Sequence, residues 1–245
     1  MQAFILAGGL GTRLRSIVDD QPKPMADIED KPFLAHQIEQ LKAQGVRHVI
    51  LCVGYLHDHV TSYFGNGEAW GVQIDYSIET SPLGTGGALK HAEHFVNDTF
   101  LVLNGDSFFD INLQELMRFH QARKKEDEGC IGTLALTTVP DASRYGSVSL
   151  NGKGRIVTFT EKSAEREASS GLINAGVYVL EPNILASIPV AEKVSIERTV
   201  FPSFMRNGSR LYGYEGQEFF VDIGTPEGYY KFCDYVKERS LEGQL

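Results

Sequence analysis

Apolar residues recur along the first half of the chain with two alternating periods. Ala3-Phe4-Ile5-Leu6-Ala7, His48-Val49-Ile50-Leu51-Cys52-Val53 and Phe100-Leu101-Val102-Leu103 are near-continuous runs, as strands covered on both faces require. Val72, Ile74, Tyr76 and Ile78 alternate with a strand's period of two. Between these runs, Phe33, Leu34, Ile38 and Leu41 recur at helical spacing between Pro32 and the stop Gly45. Shorter helices are predicted over 57–64 and 84–95. The order βαβαβαβ predicts an α/β fold with a Rossmann-like, mostly parallel central sheet flanked by helices.

The second half changes character. Segments 131–139, 146–150, 156–160 and 177–180 are strand-like, and Asn151-Gly152-Lys153-Gly154 is a hairpin turn between two of them. A late strand is predicted at Phe219-Phe220-Val221, then a closing helix over 226–239 with Pro226 near its start. The charged run 123–128 reads as a solvated helix end. The sheet is therefore expected to be mixed, with a small β-rich part in the second half. No repeat or long linker divides the 245 residues, so one domain is expected.

Composition narrows the function. The formal net charge of −9 argues against a nucleic-acid partner, because phosphate backbones select basic surfaces. No apolar stretch approaches the roughly 20 residues of a membrane span, and no signal peptide is evident. Cys52, Cys130 and Cys233 are odd in number and widely spaced, which predicts reduced, buried thiols and a cytoplasmic protein.

Against that acidic background, Leu6 to Met25 stands out. The first strand runs into Gly8, Gly9 and Gly11, and Arg13, Arg15 and Lys23 follow closely. Glycines let backbone N–H groups approach a ligand without a Cβ in the way, and the clustered cations complete a seat for phosphate. Two familiar phosphate loops are excluded. The dinucleotide fingerprint needs glycine where Leu14 stands, and no Gly-Lys-Ser/Thr triplet occurs.

Gly8-Gly9-Leu10-Gly11-Thr12-Arg13-Leu14 followed by Pro22-Lys23-Pro24-Met25 resembles the paired signature of the sugar-1-phosphate nucleotidyltransferases. The resemblance implies a nucleotidyltransferase (GT-A-like) fold and attack of a sugar 1-phosphate on the α-phosphorus of a nucleoside triphosphate. Pyrophosphate leaves. It assigns catalytic roles to Arg13 and Lys23, and nucleotide contacts to Leu6, Ala7, Gly8, Gly9, Gly11 and Thr12. Leu103-Asn104-Gly105-Asp106 matches the family's L-N-G-D, so Asp106, with Asp222 after the late strand, would hold Mg²⁺. Two carboxylates suffice for an ion that keeps water and phosphate oxygens as further ligands.

The second glycine cluster, Ser81-Pro82-Leu83-Gly84-Thr85-Gly86-Gly87, matches a nucleobase-binding segment, with Pro82, Gly84 and Thr85 as contacts. Its bland reading is a loop that lets helix and sheet pack closely. Glu79 nearby could accept from guanine N1–H and the 2-amino group together, which favours GTP. By the same resemblance Asn104, Gly146, Glu161, Lys162, Asn174, Ala175 and Gly176 meet the sugar phosphate, although Ser163 stands where the family's E-K-P has proline. Residues 1–110 would then be mainly the nucleotide half and 111–245 mainly the sugar half.

Within the family the chain is most similar to members using GTP and a heptose 1-phosphate. The carriers are Pro22-Lys23-Pro24-Met25, Lys31-Pro32-Phe33-Leu34, Pro82 to Ala88 and Asn104-Gly105-Asp106-Ser107-Phe108. Mannose 1-phosphate and uridylyl transfer are the alternatives inside the family, and a non-catalytic regulatory subunit is the alternative outside it. A subunit of that kind should have lost Arg13, Lys23 or an aspartate. The expected partners are small molecules, with homo-oligomerisation left open. His57, His59, His91 and His94 read as surface histidines.

Overall fold

The computed structural model describes residues 1–9, 21–160 and 169–241. The first half runs β1 (Gln2–Leu6), a 3-10 turn (Lys23–Met25), the short hairpin β2 (Asp27–Ile28) and β3 (Lys31–Pro32), α1 (Phe33–Ala43), β4 (His48–Val53), α2 (His57–Phe64), β5 (Gln73–Ile78), α3 (Gly84–His91) and β6 (Phe100–Asn104). There follow β7 (Ser107–Phe109), α4 (Leu113–Glu126), β8 (Cys130–Val139), β9 (Ser147–Leu150), β10 (Ile156–Thr160) and β11 (Gly171–Leu180). A π-helical turn (Ile196–Val200), α5 (Phe201–Arg206), β12 (Arg210–Glu215), β13 (Phe220–Asp222) and α6 (Pro226–Leu241) complete the chain.

One sheet joins both halves in the order β10-β9-β11-β6-β1-β4-β5. The strands β6, β1, β4 and β5 are parallel, as the alternation of strands and helices requires. β11 then pairs antiparallel with β6, which makes the sheet mixed. β8 lies antiparallel to β11 and carries β12 in parallel. The β1 sequence explains the two-sided burial. Ala3 and Ile5 pack with Leu34, Ile38 and Leu41 of α1 and with Leu116 of α4 on one face. Phe4 packs with Ala88 and Leu89 of α3 and with Phe201 of α5 on the other. A third cluster seats α6, through Phe232 and Val236, on Phe33, Phe108 and Val221.

Several expected boundaries move. The helix expected over 84–95 ends at His91 and is followed by a separate 3-10 turn, Glu93–Phe95. Run 123–128 covers the end of the helix α4, with Lys124, Lys125, Glu126 and Glu128 exposed as expected, while Arg123 lies over Phe119 and Tyr212 and Lys124 bonds Glu181 at 2.6 Å. β11 starts at Gly171, well before the expected 177. Its apolar pattern is interrupted by Asn174-Ala175-Gly176, where the register against β8 shifts and Gly176 takes φ +76°. Such bulges re-aim side chains, and this one faces the site. Cys52, Cys130 and Cys233 are buried free thiols. His59, His91 and His94 are exposed.

Candidate active site

Carboxyl ends of parallel strands are where open α/β sheets bind ligands. Here β1 delivers Ala7-Gly8-Gly9, β5 delivers Glu79, and β6 delivers Gly105-Asp106. Gly105 donates its N–H to Leu6 O at 3.0 Å, and a Cβ there would lie 2.7 Å from that oxygen, so the two loops pass too closely for any side chain. The cavity above them has a volume of about 530 Å³.

All described residues expected at the site line this cavity: Leu6, Ala7, Gly8, Gly9, Lys23, Glu79, Pro82, Gly84, Thr85, Asn104, Asp106, Gly146, Asn174, Ala175, Gly176 and Asp222. They come from both halves of the chain. Gly11, Thr12, Arg13, Glu161 and Lys162 lie outside the described residues.

Lys23 is nearly buried, and its Nζ donates to Asp106 Oδ2 at 2.9 Å. Asp222 ends β13, and its Oδ1 accepts the Gly224 N–H at 2.6 Å. Ile223 N–H donates to Asp106 O at 2.9 Å, which ties the two aspartate-bearing segments together. A Cβ on Gly224 would lie 2.7 Å from Asp222 Oδ1 and 3.1 Å from Lys23 Nζ. The lysine ammonium and both carboxylates therefore share one corner of the cavity. Among the described residues, no three His, Cys, Asp or Glu side chains group as metal ligands. Two hard carboxylates beside a cleft open to phosphate oxygens and water nevertheless fit Mg²⁺.

Glu79 has two duties. Its Oε2 accepts the Leu83 N–H at 2.9 Å, closing the turn into α3, while Oε1 sits 2.9 Å from where a Cβ on Gly8 would lie. Burial pushes its carboxyl above the usual range, against the lowering effect of that N–H bond. Burial also raises the Tyr145 phenol, helped by the charge of Asp222.

The glycines of 84–87 serve packing more than ligand approach. Gly86 and Gly87 both donate to Val194 O, at 2.8 and 3.2 Å, and a Cβ on Gly87 would lie 2.4 Å from Glu192 O. Gly84, at φ +69°, would place one 2.7 Å from Val194 O. The bland reading of this loop holds for its glycines, while Gly84 and Thr85 still face the cavity.

The partner segment brings residues that sequence reasoning missed: Lys193, Glu197 and Arg198. Glu197 is buried and accepts from Thr85 Oγ1 at 2.7 Å and Ser195 Oγ at 2.8 Å. It also faces Tyr178 OH at 3.4 Å, and that hydroxyl accepts from Asn174 Nδ2 at 2.8 Å. This polar chain links the α3 end of the cavity to the β11 bulge, where Asn174 Oδ1 accepts the Gly176 N–H at 3.0 Å. A Cβ on Gly176 would lie 2.7 Å from Ser107 Oγ and 2.9 Å from Asn104 Nδ2. Asn104 Oδ1 is buried without a partner. Arg144 and Tyr145 also line the cavity. No pattern in the sequence marks Glu197, which sits in the mixed run Ser195-Ile196-Glu197-Arg198. Arg144 could have been found from its place beside Gly146.

Glycine turns and Asp106 at the carboxyl ends of parallel strands, with Lys23 and the Asp222 of a neighbouring two-stranded sheet brought beside them, describe an α/β fold with a site suited to phosphate. The chain belongs to the nucleotidyl transferase family, whose pattern it matches over residues 2–239. Among its relatives is the D-glycero-alpha-D-manno-heptose 1-phosphate guanylyltransferase of Campylobacter jejuni, 44% identical over 95% of this chain and 98% of the relative. The mannose-1-phosphate guanylyltransferase of Mycobacterium tuberculosis is 38% identical over 94% of this chain but only 62% of its own length. The crystal structure of HddC from Yersinia pseudotuberculosis complexed with GMP-PN superimposes with a TM-score of 0.82 and 33% identity, over 96% of this chain and 99% of that one.

Proposed function

We propose that the protein transfers the guanylyl group of GTP to D-glycero-D-manno-heptose 1-phosphate, giving GDP-heptose, a precursor of surface polysaccharide, and pyrophosphate. The observation that carries the transfer reaction is the convergence of Lys23, Asp106 and Asp222 in one corner of a cavity that also holds Glu79 and Gly146. The choice of base and sugar is supported by the relative that this chain matches along nearly its whole length.

The attacking oxygen belongs to a phosphate that is already ionised at neutral pH, so no side chain need remove a proton. The task is to bring two polyanions together in line and offset their repulsion. Gly8 and Gly9 leave room for the triphosphate. Lys23 neutralises phosphate charge, with Arg13 in the same role. Glu79, held by Leu83 N–H, offers its other oxygen to the guanine edge. Asn104, Gly146 and the bulge at Asn174–Gly176 orient the sugar phosphate, together with Glu161 and Lys162. Asp106 and Asp222 would hold Mg²⁺, which when bound supplies charge neutralisation on phosphate oxygens.

Pyrophosphate release, measured over a panel of GTP, UTP, ATP and dTTP against heptose, mannose and glucose 1-phosphates, tests the reading. The highest kcat/KM should fall on GTP with the heptose 1-phosphate. A maximum on GTP with mannose 1-phosphate would replace the sugar, and the mannose-specific relatives make that the second reading. A maximum on UTP would overturn the role given to Glu79.

A further inference from the structure

The cavity wall at Gly146 and the turn at Asp222 come from distant parts of the chain, and one side chain spans them. Arg144 Nη1 donates to Glu227 Oε2 at 3.0 Å, and Nη2 points at Thr225 Oγ1 at 3.4 Å, across 83 and 81 positions of sequence. Thr225 caps α6, because its hydroxyl accepts the Gly228 N–H at 3.2 Å and its carbonyl accepts the Tyr229 N–H. On the sugar side Gly146 O accepts the Asn174 N–H at 2.9 Å, so the Arg144 loop is tied to the β11 bulge. The next residue, Tyr145, packs its ring on Phe220, two positions before Asp222.

The ion pair is a poor device for stability. The Arg144 side chain is 46% exposed and that of Glu227 79%, and pairs this exposed add little to stability. Its position is what matters. We propose that Arg144 is a positioning residue, a latch across the cleft that sets the Asp222 turn against the sugar-phosphate wall for in-line transfer. The proposal rests on reading Asp222 as a carboxylate of the transfer site. Misplacement of reacting groups by about 1 Å can cost up to 10²-fold in rate, so the latch should act on kcat.

The test uses the whole chain with GTP and a sugar 1-phosphate. Arg144→Ala and Glu227→Gln should each lower kcat roughly 10- to 100-fold. KM for GTP and the melting temperature should stay unchanged. The double variant should be no slower than either single one, and Arg144→Lys should recover part of the rate. Amide hydrogen exchange in 220–228, read without substrates, should quicken in both single variants. Wild-type kcat in Arg144→Ala, additive losses in the double variant, or unchanged exchange in 220–228 would each overturn the latch. Loss in Arg144→Ala with none in Glu227→Gln would overturn it too, since the arginine would then act on substrate directly. A wild-type chain that releases no pyrophosphate from any pair would instead sink the underlying reading, and the exchange measurement would still judge the latch.

Discussion

Lys23 and Asp106 stand 83 positions apart in the chain, yet the lysine Nζ meets the carboxylate Oδ2 at 2.9 Å in the wall of the cavity. The pair joins the turn before β2 to the loop after β6. Its carboxylate is 40% exposed on the side chain while the lysine is 9% exposed, so the aspartate presents the pair to the cavity. Asp106→Asn is expected to lower kcat by on the order of 10²–10³, the scale of losing one charge-stabilising group. The circular dichroism spectrum should not change. A variant that keeps most of its turnover would contradict the role. Arg13→Ala should likewise reduce kcat far more than it raises KM for the sugar phosphate, which steady-state kinetics can separate.

Two glycines should respond oppositely to the same substitution. Gly87→Ala would set a methyl group 2.4 Å from Glu192 O, and forcing the two backbones apart should cost about 1–3 kcal/mol in urea unfolding. A methyl group on Gly9 would meet nothing within 4 Å among the described residues, so Gly9→Ala should alter stability by less than about 0.5 kcal/mol. Its effect should instead be a higher KM for GTP. If Gly9→Ala leaves that KM alone, the first loop is not the phosphate seat.

Glu79→Gln separates clamp from reader. Glutamine keeps one oxygen to accept the Leu83 N–H but then turns an NH2 donor, not an acceptor, toward the guanine donors, so kcat/KM for GTP should fall while KM for the sugar phosphate holds. Because burial raises this carboxyl, a lower pH neutralises it sooner than an exposed glutamate. KM for GTP in the wild type should therefore climb as the pH falls from neutral, and the variant should lose that slope. Parallel pH profiles of the two proteins would reject the assignment.

Stability should also weaken in mild acid. His120 is fully buried between Thr133 Oγ1 at 3.0 Å and Glu181 Oε1 at 2.9 Å, and burial holds its pKa below the ordinary 6.5 despite the carboxylate. His36, bonded to Ile28 O, is lowered by burial as well. The unfolded chain takes up protons near 6.5 that the folded chain refuses, so unfolding free energy is complete above that pH and declines below it. Urea midpoints from about pH 8 down to about 5 should stay level and then fall. Midpoints that rise on acidification would contradict the neutral, buried state of both rings.

Much of the site could be read in the chain because its elements are local. Glycine turns after apolar runs, and aspartates just past a strand, occupy strand ends wherever the sheet closes. The parallel core β6-β1-β4-β5 follows for the same reason, since each strand and its crossover helix carry their own periodicity. Segment 192–198 offered no such pattern. Its Glu197 enters the site because glycines at 84–87 let a distant backbone come close, and closeness between segments over 100 positions apart leaves no periodic trace.

What the sequence determined by itself was therefore the alternation of elements, the glycine turn after β1 and the two aspartates at strand ends, each set by short-range backbone and side-chain chemistry. Tertiary structure alone decided that β11 continues through a bulge at Asn174–Gly176, that α3's glycines answer to Val194, and that Arg144 reaches Glu227. Those outcomes depend on which surfaces meet once the mixed sheet forms, and contacts of that range are settled by packing rather than by neighbours in the chain.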